Sequence, residues 1–257
     1  MTLPSGRRVM LTLHYDGAGF MGWQVQPGAR TVQSELEAAL SRLADQTVTV
    51  IAAGRTDRGV HATGQVASAL VPPKWTAAAL HRALNAILPD DVWVADSREV
   101  PLEFHARYSA IARSYEYRIG TSETAFSPFE RRWCWAMRDP IDRSAVMTVA
   151  AQLTGCLSFH AFAKTGQPER GEICEVTSSS WQEWELGLVY RVTANRFLHH
   201  MVRYLVGTMV DIGRGRRPPG DVALLLDNQP GQETSPPAPP QGLFLSRVHY
   251  PPDLIGR

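Results

Sequence analysis

The order in which hydrophobic periodicities follow one another along the chain constrains the fold more than any other feature of the sequence. Residues 1–106 alternate between period-two and helical patterns in the order β-α-β-β-α-β, and residues 107–257 repeat that order. Each run matches a split βαβ, ferredoxin-like pattern. We therefore predict an α/β (α+β) fold of two βαββαβ halves, 1–106 and 107–257, with a mainly antiparallel sheet and a central cleft.

The first half contains four strand patterns and two amphipathic helix patterns. The strands are predicted around residues 9–15, 47–53, 65–71 and 92–100, and the helices after Thr31 and over 76–88. Thr31 is a good N-cap because its hydroxyl can accept a hydrogen bond from a free backbone N–H of the first helical turn.

The second half has strand patterns at 113–119, 173–184, 188–194 and 243–250, with helices predicted at 142–153, 196–212 and 221–226. We expect Gly155 to end the helix over 142–153. On the long helix over 196–212, Arg196, His199, His200 and Arg203 recur every three or four residues and would share one face. Phe197, Met201 and Leu205 would lie on another face and pack inward.

Composition narrows the class of protein. No apolar run approaches the roughly 20 residues of a membrane-spanning helix, so we expect a cytoplasmic protein. The three cysteines are far apart and odd in number, and are predicted to be buried, reduced thiols. The net charge is only +1, but the basic residues are 24 Arg and 2 Lys. Guanidinium groups pair bidentately with phosphate, so a near-neutral chain can still bind RNA if its arginines lie on one face.

The stretch G-R-T-D-R-G-V-H-A at residues 54–62 carries the most chemical information. Two glycines bracket Arg55, Thr56, Asp57 and Arg58 in a connection between two predicted strands. From the residues alone, two interpretations stay open. Asp57 closes an Asx-turn between solvated arginines, or it is a functional carboxylate at a place where the backbone approaches a ligand closely.

This stretch resembles the signature loop of the tRNA pseudouridine synthase A family, whose usual form is G-R-T-D-A-G-V-H. Other segments resemble the family in the same order along the chain: residues 15–17 with 22–24, 31–33, 104–107 with 109–110 and 113–117, 195 with 197–203, and 238–239 with 242–245. Two positions depart from the family pattern. Arg58 stands where Ala is usual, and Phe244 stands where Tyr is frequent.

The resemblance implies a pseudouridine synthase fold and an isomerase that converts uridine to pseudouridine at positions 38, 39 and 40 of the tRNA anticodon stem-loop. It makes Asp57 the catalytic carboxylate, and it leaves open whether Asp57 attacks C1′ or assists formation of a glycal. Arg203 would be the cation beside Asp57, Tyr115 would stack on the uracil with Leu245 on its other face, and Arg55 would fill the space that the flipped nucleotide vacates. Arg58, His199 and His200 are further candidates for RNA contacts. The implied enzyme is a homodimer and needs no cofactor, because substrate and product are isomers.

Two rival functions follow from the same residues. A protein that keeps the scaffold without catalysis would bind or remodel RNA, and an unrelated hydrolase would pair His199 or His200 with Asp57. A metal site is not expected, because neighbouring histidines on a helix point about 100° apart and chelate poorly.

Overall fold

The computed structural model describes residues 6–164 and 171–255. The chain divides into two compact units. Unit 1 comprises Met1–Ile111 and Leu245–Arg257, and unit 2 comprises Ala112–Phe244. The order of elements confirms the βαββαβ pattern in both parts of the chain, with additional short elements in the second.

Unit 1 contains the four predicted strands and two predicted helices. These are β1 (Arg7–Tyr15), α1 (Val32–Ala44), β2 (Val50–Ala52), β3 (His61–Val71), α2 (Ala77–Ile87) and β4 (Val92–Val100). β1 lies between β3 and β4, β2 pairs with β3, and all three pairings are antiparallel. The resulting order β4-β1-β3-β2 is that of a split βαβ fold, since each strand-helix-strand crossover leaves a gap that a strand of the other crossover fills.

The two helices of unit 1 begin where the sequence predicts. Thr31 caps α1 by accepting from Ser34 N–H, and Ser34 returns a bond to the Thr31 backbone, which makes a capping box. Thr76 caps α2 through its hydroxyl, which accepts from Ala79 N–H. Strand β2 is shorter than the predicted 47–53, because only three of its residues pair with β3.

Unit 2 contains β5 (Ala112–Gly120), β6 (Trp135–Ala136), α3 (Arg143–Gln152), β7 (Gly155–Ser158), β8 (Ile173–Trp184), β9 (Gly187–Ala194), α4 (Met201–Gly213) and α5 (Asp221–Leu226). Strands β5, β9, β8 and β7 are neighbours in that order and antiparallel, and β6 runs parallel to β5. The short strands β6 and β7 were not predicted. Gly155, at φ +121°, begins β7 rather than ending α3, which stops at Gln152.

The final elements are β10 (Leu243–His249) and α6 (Pro252–Ile255). β10 begins in unit 2 and continues into unit 1, where it lies beside β3. No helix within the described ranges is long and apolar enough to cross a membrane.

The cysteines differ from the prediction in one respect. All three are free, and Cys134 and Cys174 are buried, but Cys156 is exposed. Burial raises the pKa of Cys174 to about 11. Cys156 lies on β7, a strand that periodicity did not reveal, and its side chain points away from the core there.

Candidate functional site

The loop over 54–60 joins β2 to β3 and presents Asp57, which is half-buried. Its backbone is held on both sides of Asp57. Trp23 N–H donates to Thr56 O at 3.0 Å, and Val60 N–H donates to Asp57 O at 3.1 Å. Gly59 has φ +77°, a left-handed conformation that favours glycine and lets the chain turn directly after Arg58.

Arg55 and Arg58 flank Asp57 and are both exposed. The guanidinium groups therefore reach solvent on either side of a carboxylate-bearing residue. Two guanidinium groups in this arrangement can pair with phosphate oxygens close to the Asp57 carboxylate. Both arginines are thus accessible to solvent, as either interpretation of the sequence requires.

Leu245 lies on β10 and is fully buried, 0% exposed. β10 approaches β3 so closely that a Cβ on Gly64 would lie 2.1 Å from Ser246 O, which requires glycine at that position. Leu245 is thus fixed in the sheet of unit 1, next to the strand that follows the Asp57 loop.

In unit 2, Tyr115 lies on β5 and is half-buried, whereas Tyr117 and Ile119 on the same strand are fully buried. The Tyr115 and Phe197 rings make a T-shaped contact, with ring centroids 4.9 Å apart. Such a contact is a favourable arrangement of two aromatic rings and helps to orient both side chains. The strand predicted over 113–119 is confirmed as β5.

Arg203 lies in the first turn of α4 and is oriented by the Pro-rich segment that precedes β10. Arg203 Nε donates to Ala238 O at 2.7 Å, and Ala238 N–H donates to Arg203 O at 2.9 Å. The Tyr117 hydroxyl donates to the neighbouring Pro239 O at 2.8 Å. Burial raises the pKa of Tyr117 well above its usual range, and the Arg203 charge opposes part of that shift. Sequence periodicity did not predict that Ala238 orients Arg203, because Ala238 does so through its backbone carbonyl and every residue has one.

The prediction of a helix from residue 196 is wrong. α4 begins at Met201, and His200, at φ +64°, is a left-handed N-cap residue without a side-chain capping bond. The residues before His200 form hydrogen bonds with other segments of the chain. Asn195 forms two hydrogen bonds with Glu175, and His199 O accepts from Lys164 N–H. A helix cannot continue backwards through these contacts.

Two consequences follow for the predicted face of the helix. Arg196, His199 and His200 do not share a helical face with Arg203, and Phe197 packs on Tyr115 instead of lying on α4 with Met201. His199 is exposed and His200 half-buried, with ring centroids 4.2 Å apart. The argument that helical geometry separates the two imidazoles is therefore also wrong.

Several other arginines have structural partners within unit 2. Arg217 pairs with Asp221 at 2.9 Å, Arg214 pairs with Asp139, and Arg132 lies 4.6 Å from the Trp133 ring centroid. The clusters of arginine in the sequence thus include residues that stabilise local structure, and their number overstates the charge available for RNA.

Comparison with known proteins shows the family of this chain. A family model described as tRNA pseudouridine synthase matches residues 12–109 and 149–251. A tRNA pseudouridine synthase A of Chlorobium luteolum is 41% identical over 96% of this chain and 97% of its own length. One of Moorella thermoacetica is 41% identical over 93% of this chain and 98% of its own, and one of Bacillus pumilus is 36% identical over 95% and 99%. The first matched range contains Asp57, and the second contains Arg203 and Leu245. Because the relatives align over nearly the whole chain, this chain belongs to the tRNA pseudouridine synthase family, whose members are isomerases that act on uridines of tRNA.

Proposed function

We propose that this protein isomerises uridine to pseudouridine at positions 38, 39 and 40 in the anticodon stem-loop of tRNAs, with Asp57 as the catalytic carboxylate. The observation that carries the proposal is the Asp57 loop itself. A half-buried carboxylate stands between two exposed arginines on a backbone held by hydrogen bonds at Thr56 and Asp57. This is the loop in which the family pattern places its aspartate.

The reaction breaks the N1–C1′ bond of uridine, turns the released uracil and forms a C5–C1′ bond, after which the C5 proton is lost and N1 takes up a proton. The ribose carbon develops positive charge as the first bond breaks, and an ionised carboxylate stabilises that charge, either by direct attack or by assisting formation of a glycal. No metal or cofactor takes part, and the product has the mass of the substrate.

A uridine stacked in a stem cannot reach a carboxylate, so the nucleotide is flipped out of the helix. We propose that Arg55 occupies the vacated space or holds the displaced phosphate. Tyr115 stacks on the uracil, with Leu245 against its other face, and Arg203 supplies a positive charge for Asp57. The T-shaped contact between Tyr115 and Phe197 and the hydrogen bond from Arg203 to Ala238 support these roles, because they orient the two side chains.

Arg58, His199 and His200 are proposed to contact RNA. All three are at least partly exposed, and Arg58 adds a cation where the family usually has Ala. Contacts of this kind recognise shape and phosphate rather than sequence, so tRNA affinity should fall log-linearly with salt.

The same proposal includes a cytoplasmic homodimer. In this proposal the sequence half 1–106 carries the Asp57 loop, and the sequence half 107–257 carries Tyr115 and Arg203. Sedimentation equilibrium of the purified protein measures the mass of the assembly directly.

The decisive test uses tRNA labelled with tritium at uracil C5. The wild-type protein should release tritium, and Asp57→Asn, which keeps the shape of the side chain but removes its charge, should slow release by more than about 1,000-fold while tRNA binding persists. Asp45→Asn is a matched control, because Asp45 is exposed at the end of α1 and has a left-handed backbone that Asn adopts readily.

The outcome separates the proposal from its rivals. A non-catalytic RNA-binding protein would release no tritium in any form. A hydrolase would liberate free uracil and change the mass of the RNA. Tritium release by Asp57→Asn at the wild-type rate would reject Asp57 as the carboxylate.

A further inference from the structure

A network of hydrogen-bonded, buried polar side chains contacts the loop that carries Asp57. The Tyr15 hydroxyl is 2.7 Å from Thr56 Oγ1, and Gln65 Nε2 donates to Gly54 O at 2.8 Å and to the Tyr15 hydroxyl at 3.5 Å. Tyr15, Thr56 and Gln65 are 5%, 6% and 0% exposed. The network therefore connects Tyr15, the last residue of β1, and Gln65 of β3 to two points of the loop. These points are Gly54, at the start of the loop, and Thr56, next to Asp57.

Packing alone gives no reason for polar side chains here. Burying a hydroxyl or an amide is unfavourable unless it finds a hydrogen-bond partner, and apolar side chains of similar volume would fill the same space without that requirement. A buried network whose members are hydrogen-bonded to one another instead makes the local structure more rigid and more specific. Three such side chains in one chain of bonds indicate a requirement for a defined loop geometry.

The residue before Asp57 is the point where these constraints meet. Thr56 is held through its hydroxyl by Tyr15 and through its carbonyl by Trp23 N–H, at 3.0 Å. The Tyr15 ring also packs against the Trp23 ring, with centroids 6.2 Å apart. Because the backbone of Thr56 sets the direction in which Asp57 leaves the loop, these bonds determine where the carboxylate points.

We propose that Tyr15, Thr56 and Gln65 are positioning residues for the isomerisation, which hold the Asp57 carboxylate where it must meet the ribose. This inference rests on the proposed function. The bonds described reach the Thr56 hydroxyl and the Gly54 carbonyl, so they hold the loop on which Asp57 lies. A reaction that begins at one ribose carbon tolerates little displacement of the attacking or stabilising oxygen, and an error of about 1 Å can slow an enzyme by about 100-fold.

The test removes single hydroxyl groups at almost constant volume. Tyr15→Phe and Thr56→Val each delete one end of the 2.7 Å hydrogen bond. We expect single-turnover release of tritium from C5-labelled tRNA to slow by about 10- to 100-fold in each, while the Kd for tRNA stays near the wild-type value. Thr56→Ser keeps the hydroxyl and should recover most of the rate. The double variant should be no slower than the slower single variant, because both substitutions break the same bond.

A matched control separates positioning from simple loss of stability. Tyr190 in unit 2 is 0% exposed, and its hydroxyl lies 2.8 Å from Ser179 Oγ. Tyr190→Phe thus also deletes a buried hydroxyl from a hydroxyl pair, and it should lower the Tm without slowing the single-turnover rate at 25 °C.

The possible failures are distinct. If Tyr15→Phe and Thr56→Val lower the Tm as Tyr190→Phe does but turn over at the wild-type rate, the network is structural only and the inference is overturned. If Thr56→Ser is as slow as Thr56→Val, the hydroxyl is not the determining group and the inference is again overturned. A wild-type protein that releases no tritium would instead overturn the proposed function, together with this inference.

Discussion

At the scale of single residues, two glycines between β1 and α1 have the same type of backbone conformation in different surroundings. Gly22 has φ +95°, and a Cβ there would lie 2.7 Å from Thr56 O. Gly28 has φ +69°, and a Cβ there would meet nothing within 4 Å. The pair therefore separates the cost of a left-handed backbone from the cost of crowding the Asp57 loop.

We expect Gly28→Ala to destabilise the protein by about 1 kcal/mol, because alanine is strained at positive φ. Gly22→Ala should cost about 3 kcal/mol, because the same strain is joined by a contact with backbone that cannot move aside easily. Urea denaturation of the two variants measures the difference. Equal losses would mean that the segment around Gly22 shifts freely away from Thr56.

At the scale of elements, α1 and α2 have hydroxyl caps and begin where the sequence predicts, whereas α4 has no side-chain cap and begins later than predicted. α1 begins after Thr31 and α2 after Thr76, both with hydroxyl caps. α4 begins after His200, which provides no side-chain cap and has a left-handed backbone. The apolar pattern in the sequence begins before α4 does. Phe197 and Leu198 contribute to that pattern because they pack against other parts of unit 2, not because they are helical.

The two threonine caps predict different losses of stability. Thr31 is fully buried and bonds Ser34 through both its backbone and its hydroxyl, whereas Thr76 is exposed and makes a single bond of 3.3 Å to Ala79 N–H. Thr31→Ala should therefore cost about 2 kcal/mol and Thr76→Ala about 1 kcal/mol or less in the free energy of unfolding. Guanidinium denaturation measures both. A larger loss for Thr76→Ala would contradict the importance assigned to the capping box.

At the scale of the whole molecule, unit 1 is completed by residues from the far end of the chain. Leu245, Val248 and Tyr250 are buried in it, and the Tyr250 hydroxyl donates to Ala106 O at 2.6 Å. Ile111 N–H donates to His249 O at 2.9 Å. The C-terminal segment thus contributes core and hydrogen bonds to a unit whose elements other than β10 and α6 all precede residue 112.

A chain that ends at Phe244 should consequently lose the cooperative folding of unit 1. Burial of the three side chains contributes about 6 kcal/mol, comparable with the whole stability of a typical domain. Amide hydrogen exchange should show protection lost in β1 and β3. A chain that ends at Pro251 keeps all of β10 and Tyr250 and should retain that protection. Full protection in the shorter chain would contradict this account.

The sequence by itself determined the order of the main strands and helices, the capped helix starts and the position of the Asp57 loop between two strands, because periodicity, capping residues and a nine-residue motif are local properties. Only the tertiary structure decided where α4 begins, how Arg203 is held by Ala238 and that Tyr15 and Gln65 support the loop. These features depend on hydrogen bonds between residues far apart in the chain, such as Arg203 with Ala238 or Tyr15 with Thr56, and backbone groups that make such bonds have no signature in the sequence.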